Sequence, residues 1–211
     1  MYMYIHAYCV DHDVNVDILR ALSGCICLHV CHFVARKSCR ITSGQFTSVV
    51  VHQGQVYTAD REKCQTQVFQ RSDTSSSSAE WRQLRSIDHD FDNKSWLLTL
   101  IISNNQLKCC SQNDCVIKVY SLSGELLQTH GRRGTEHAGG LSYPYISDDD
   151  DDGSVLIADQ RNHRLQVMSE QGEFSVLQLK PVVSGPRSAV LFNNQLYVTS
   201  QCNNAIIKFS C

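Results

Sequence analysis

Three clusters in the chain carry residue types that could do chemistry. Cys25-Ile-Cys27-Leu-His29-Val-Cys31-His32, completed by Cys39, holds soft ligands of the kind that bind zinc. Structural zinc sites set Cys or His pairs two to four residues apart around a loop, whereas these ligands crowd one short run. The run reads better as a short apolar helix or leader, and no metal is assigned to it. Asp148 to Asp152 offers five adjacent carboxylates to a hard cation. A calcium loop of EF type needs oxygens at alternate positions and a distal Glu, so this run reads as a solvated turn widened by its own repulsion. The third cluster is cationic: Arg132, Arg133, Arg161 and His163, with His137 nearby. The planar guanidinium fork matches carboxylate or phosphate oxygens two at a time. These four are the candidate partner-binding residues, weighed against an ordinary solvated rim.

Catalytic signatures are missing from the sequence. There is no Gly-x-Ser-x-Gly, His-Glu-x-x-His or phosphate-loop pattern. No catalytic residue, cofactor or small-molecule substrate is assigned, and the chain is expected not to be an enzyme. With a net charge of -2, it is not a globally basic nucleic-acid binder, although a local basic patch is compatible with that balance.

The elements that must position the cationic cluster are short strands. Val155 to Ala158 is a continuous apolar run, as expected of a strand covered on both faces. Asp159 to His163 supplies a turn, because Asp and Asn bond nearby backbone and tolerate left-handed geometry. Leu165 to Met168 restarts a strand, and Gly172 marks the next turn. The unit recurs around Asp60, Ser111 and Ser200: a strand ends at each anchor, restarts six positions on, and ends nine positions on at Phe69, Tyr120, Met168 or Phe209. A strand-built period of roughly 40–50 residues signals a β-propeller array. Gly124-Glu-Leu126 and Gly172-Glu-Phe174 open outer strands, and Gly44-Gln-Phe46 looks like a third such opening.

Asp159-x-x-Asn162-His163-Arg164-Leu165 resembles the NHL repeat, and Asn203-Asn204-Ala-Ile206 is a weaker copy. The resemblance covers about residues 44 to 211 and is strongest to the C-terminal propeller of tripartite-motif NHL proteins. It implies an all-β fold of four-stranded antiparallel blades, about four of them, incomplete relative to the family's usual six. It also implies a non-catalytic module that binds protein, as the substrate-recognition part of a ubiquitin ligase. The alternative is single-stranded RNA on the basic rim. Ligase chemistry would need a RING, whose paired ligands the Cys-rich run does not supply. Asp60, Ser111, Asp159, Asn162, Ser200 and Asn203 are expected to be structural residues of the repeat turns.

Residues 1–43 do not match the repeat and are expected to form a loosely ordered, Cys-rich leader, with blades over 44–211. Ile18 to Ala35 is apolar but contains Arg20, His29 and His32 and is marginal in length for a bilayer span, so no membrane segment is assigned. The eleven cysteines show no secreted framework and no signal peptide precedes them, which favours reduced thiols in the cytoplasm. Cys64 and Cys115 both lie four positions after an anchor, so they should occupy equivalent turns and not bridge. Cys109 and Cys110 should point to opposite faces of one strand. In blades of this kind, Arg132, Arg133, His137, Arg161 and His163 share one rim, while the Ser-rich loop near Ser78 and Asp148 to Asp152 share the other. The fourth unit lacks an outer strand. Gly44 to Phe46 could supply it in a closed ring; otherwise the array is an open or strained arc with exposed, association-prone edges.

Overall fold

The computed structural model describes residues 45–71, 81–91, 98–150, 152–192 and 194–210, together with the backbone of five short strands within residues 7–41. The zinc reading of the Cys-rich run and the Ser-rich loop near Ser78 lie outside the described residues. The chain divides into two compact units, Met1–Leu100 and Ile101–Cys211.

In the first unit the short strands are β1 (Ala7–Cys9), β2 (Ala21–Leu22), β3 (Cys25–Ile26), β4 (Leu28–Cys31) and β5 (Ser38–Ile41). β2 pairs with β3 and β4 with β5. The first blade is β6 (Phe46–His52), β7 (Gln55–Asp60), β8 (Gln65–Arg71) and β9 (Trp81–Asp88). β1 adds a fifth strand in parallel with β6, in the order β1-β6-β7-β8-β9. Two sequence expectations are corrected here. Gly44-Gln-Phe46 does not open an outer strand: Phe46 begins β6, which runs unbroken to His52 because Phe46 and Val49 to Val51 are buried in sequence. Nor does that segment complete the last blade, since its partners are β7 and β1.

The second unit repeats the plan. Its first blade is β10 (Leu98–Ser103), in which the boundary between units falls, then β11 (Gln106–Ser111), β12 (Val116–Ser121) and β13 (Leu126–His130). A link carries two short strands, β14 (Arg132–Arg133) and β15 (Gly140–Leu141), paired in parallel. The next blade is β16 (Pro144–Asp149), β17 (Val155–Asp159), β18 (Arg164–Met168) and β19 (Phe174–Val176). The last sheet has three strands, β20 (Pro186–Phe192), β21 (Gln195–Ser200) and β22 (Ala205–Ser210). β16 extends to Asp149, with Asp148 and Asp149 pairing with Leu156 and Val155 past a bulge.

Local chemistry explains the repetition. Buried β-branched and aliphatic residues fill both faces of the inner strands: Val49 to Val51, Leu100 to Ile102, and Ile146 with Val155 and Ile157. Cys109 and Cys110, successive on β11, are buried at 0% and 1% exposure, so both faces of that strand are covered. The tight turns after first strands use left-handed pairs, Gln53-Gly54 (φ 47° and 70°) and Asn104-Asn105 (φ 51° and 56°), as two-residue hairpins require. The turns after second strands share one left-handed residue four positions past the anchor: Cys64 (φ 55°), Cys115 (φ 58°), His163 (φ 54°) and Asn204 (φ 47°). Four non-glycine residues in so sparse a conformation at one repeat position confirm the alignment read from the sequence. A bulge also recurs early in the first strand, between Phe46 and Ser48, Ile146 and Asp148, and Pro186 and Ser188.

Candidate functional site

The anchors end the second strands and hold the turns that follow. Asp60 Oδ1 accepts the backbone N–H of Glu62 (3.1 Å) and Lys63 (3.3 Å). Ser111 Oγ accepts from Asp114 N (3.3 Å), and Ser200 Oγ accepts from Asn203 N (3.4 Å). In all three the anchor side chain caps an amide three residues on. Asp159 does something different. It is fully buried, and its Oδ2 gathers Asn162 Nδ2 (2.7 Å), Arg164 Nε (3.0 Å) and Gln166 Nε2 (2.9 Å). Its Oδ1 accepts Ser142 N (2.7 Å). Asp159 is thus a hub, and Arg164 compensates its charge directly.

Three of those donors reach onward to the link that carries Arg132 and Arg133. Asn162 Nδ2 donates to Gly134 O (2.9 Å). Arg164 Nη2 donates to Gly140 O (2.7 Å) and His137 O (3.0 Å). Gln166 donates to Gly140 O (2.9 Å) and accepts from Gly139 N (2.9 Å). Arg164 and Gln166 were not singled out from the sequence. Gln67 donates to Asp60 Oδ2 (2.6 Å) as Gln166 does to Asp159, and this shared Gln seven positions after an Asp anchor was the available signal.

The link and the β17–β18 turn therefore lie on one rim, but the four cationic candidates reach in different directions. Arg132 is exposed. Arg133 Nη2 donates to the carbonyl of Asn113, in the β11–β12 turn of the preceding blade. Arg161 lies over the Tyr143 ring, with its guanidinium carbon 3.6 Å from the centroid. His163 Nδ1 accepts Gly185 N (2.9 Å), just ahead of the last sheet. Arg133, Asn162 and His163 thus tie successive segments of the rim together side to side.

A second group on this rim escaped the sequence reading. Gln112, Gln160 and Gln201 each follow an anchor directly, so the repeat places them at equivalent points. Arg187, near the start of β20, sets its guanidinium carbon 5.1 Å from the ring centroid of Tyr145 on β16. Its Nη1 donates to Gln201 Oε1 (3.3 Å), which also accepts from Gln160 Nε2. Burial pushes the Tyr145 hydroxyl up, opposed by the Arg187 charge and by the Gln112 side chain beside it.

The aspartate run occupies the other end of the same strands. Pro144 pairs with Asp159, while Asp149 pairs with Val155, so the run sits about 13 Å along β17 from the Arg161 turn. Its carboxylates are engaged separately. Asp148 Oδ2 accepts Leu191 N (2.8 Å), and Asp152 Oδ1 accepts Ser154 N (2.8 Å). Lys108 is buried on β11 and donates to Gly153 O (2.8 Å); burial pulls it down, against the charges of Asp149, Glu170 and Asp152. Burial raises Asp148 to about 6. Asp148 and Asp152 thus accept from different backbone amides. Among the described residues, no helix is long and apolar enough to cross a membrane.

Fold and repeat geometry define a chain of β-propeller blades. No family model and no curated protein matches the chain. Among solved structures it is similar to a protein of unknown function from Bacteroides thetaiotaomicron, at 14% identity and a TM-score of 0.72, over 96% of this chain and 58% of that one. It is also similar to a chain of a nidogen/laminin complex, at 15% identity and a TM-score of 0.61, over 88% of this chain and 67% of the other. Virginiamycin B lyase from Staphylococcus aureus matches at 12% identity and a TM-score of 0.52, over 77% of this chain and 54% of the lyase. The chain spans little more than half the length of the Bacteroides protein and of the lyase. At these identities the likeness carries the fold.

Proposed function

We propose that the chain is a non-catalytic interaction module of NHL type, whose rim bearing Arg132, Arg133, Arg161 and His163 takes a protein partner. The observation that carries this reading is the lateral tying of that rim. Arg133 bonds Asn113, Asn162 bonds Gly134, and His163 bonds Gly185, so one surface is preformed across the second unit. A preformed surface loses less ordering entropy on binding. Among the described residues, no acidic side chain forms an ion pair with Arg132, Arg133 or Arg161, which leaves them available to a partner's carboxylates. By its resemblance, the module would serve as the substrate-recognition part of a ubiquitin ligase. The thiol side chains of Cys64, Cys109, Cys110, Cys115 and Cys202 suit a cytoplasmic setting.

Single-stranded RNA is the competing occupant, favoured by one contact: the Arg161–Tyr143 stack resembles the cation–aromatic platforms on which bases rest. Affinity capture with the intact chain and with an Arg132→Glu/Arg133→Glu variant tests the proposal. Proteins held by the former and released from the latter, at unchanged melting temperature, support it. Equal retention by both refutes the rim as the site. Binding of a uridine homopolymer that weakens steeply with salt would favour RNA instead.

A further inference from the structure

We infer that the uncovered face of the last sheet, carrying Val190, Phe192, Tyr197, Ile206 and Lys208, is a docking surface for a second copy of this chain, paired about a two-fold axis. It goes beyond the rim proposal and does not rest on it, since none of the four cationic rim residues takes part.

Strand register puts these residues on one side of the sheet. Val190 pairs with Tyr197 and Tyr197 with Lys208; Ser188 pairs with Thr199 and Thr199 with Ile206; Phe192 pairs with Gln195 and Gln195 with Ser210. Directly paired residues project to the same face, and so do residues two apart on a strand. The opposite face holds Ala189, Leu196 and Val198, all buried, and there β20 packs against β16 and β17 of the preceding blade.

The repeat shows that a face of this kind is ordinarily covered. Six positions after the anchors stand Thr66, Ile117 and Leu165, each fully buried, and Ile206, which is 73% exposed. Eight positions after them, Val68 and Val119 are buried and Val167 is half-buried, whereas Lys208 is exposed. Val50 pairs with Tyr57 as Val190 pairs with Tyr197, yet Val50 is fully buried and Val190 is 42% exposed. Phe192, 61% exposed, extends the patch. Where this face is covered, the cover is another sheet: Lys108 and Cys110, the equivalents of Tyr197 and Thr199, bond Gly153 O and Pro144 O of the next blade. A bare apolar patch of a few hundred Å² marks an interaction site, and its shape is that of a sheet's partner.

A second copy fits because the face is complementary to itself. A two-fold axis along β21, the central strand of the three, lays β22 of one copy over β20 of the other. The register then sets Tyr197 against Tyr197 of the second copy, Ile206 over its Ser188 and Phe192 over its Ser210, so large side chains meet small ones in both directions. Lys208 comes over Val190, where its stem covers the apolar side chain and its ammonium reaches past the sheet margin. With strands about 4.8 Å and sheets about 10 Å apart, the two Lys208 Cα atoms stand roughly 14 Å from each other, beyond the screening length, so their repulsion is small. An interface of a few hundred Å² on each copy lies near the lower bound of about 1,000 Å² in total for specific association, which points to micromolar dissociation.

Sedimentation equilibrium of the intact chain from about 1 to about 200 µM is the test. The expected result is a reversible monomer–dimer equilibrium with no larger species. Ile206→Glu should weaken the dimer about a hundredfold or more, since the two-fold buries the new charge twice. Leu127→Glu, at an exposed apolar position on the outer strand β13, should leave the dissociation constant unchanged. Arg132→Glu/Arg133→Glu should also still dimerise, which separates this face from the rim. Circular dichroism checks the fold of each variant, and Phe192→Glu serves in place of Ile206→Glu if that variant does not fold. A chain that stays monomeric throughout leaves the face to another occupant and overturns the inference. So does open-ended assembly, the mark of edge pairing through β22, or a dimer indifferent to both Ile206→Glu and Phe192→Glu.

Discussion

Replacing Asp159 with asparagine tests the hub on which the rim depends. An amide keeps one acceptor oxygen and turns the other position into a donor. If its oxygen faces Asn162, Arg164 and Gln166, its NH2 meets the Ser142 N–H that Oδ1 now accepts. In the other orientation three donors are orphaned. Either way, one buried N–H goes unsatisfied and Arg164, 15% exposed at its side chain, loses its counter-charge. An orphaned amide and a broken, largely buried pair together cost about 3–5 kcal/mol. For a unit of this size that lowers the melting midpoint by about 10 °C or more. Asp60→Asn is the internal control. Its ion pair is with Lys63, 56% exposed and 3.7 Å away, so the loss should be about 1–2 kcal/mol. Urea melts followed by circular dichroism give both values, and limited proteolysis should show cleavage rising within Gly131 to Leu141 in the Asp159 variant only. Equal losses at the two positions, or less than about 1 kcal/mol at Asp159, would refute the hub.

Two further outcomes follow from the opposite rim and the turns. Asp148 is raised by burial from 3.8 to about 6. The folded chain therefore binds more protons than the unfolded chain between those values, and stability should fall as pH rises through that window and level off above it. The full shift corresponds to at most about 3 kcal/mol, reduced to about 1–2 kcal/mol by solvent at the exposed Leu191 edge; Asp148→Asn should flatten the curve in chemical denaturation at stepped pH. Gly172 (φ 84°) has no room for a Cβ against the His130 ring, whereas Gly54 (φ 70°) faces open space. Gly54→Ala should cost about 1 kcal/mol from backbone strain alone, Gly172→Ala about 1–2 kcal/mol more, and equal melting midpoints would count against the His130 contact.

Much of the blade plan was legible because its causes are local. Apolar runs such as Val155 to Ala158 mark strands buried on both faces. Turn composition after each anchor marks the left-handed position that Cys64, Cys115, His163 and Asn204 all adopt. The Ser-x-x-Gly-Glu turns were readable for the same reason: Gly124 and Gly172 bond back to Ser121 and Ser169 within a few residues. The misreading of Gly44 to Phe46 shows the limit of such signals. A Gly-x-Phe opening looks alike in an outer and an inner strand, and only the partners β7 and β1 distinguish them.

What tertiary structure decided is where side chains from different blades meet. Arg132, Arg133, Arg161 and His163 share a rim, as strand order implied, yet each turns to its own neighbour: solvent, Asn113, Tyr143 and the Gly185 amide. Gln112, Tyr145 and Arg187 were invisible as a group because no local rule links a turn glutamine to residues on the inner strands of the next two blades. Their meeting depends on how neighbouring sheets pack, and packing sums many weak contacts between residues far apart in the chain. Repeat period and turn chemistry were determined by the sequence within each blade; the contacts of Tyr145 with Gln112 and Arg187 exist only once three blades stand side by side.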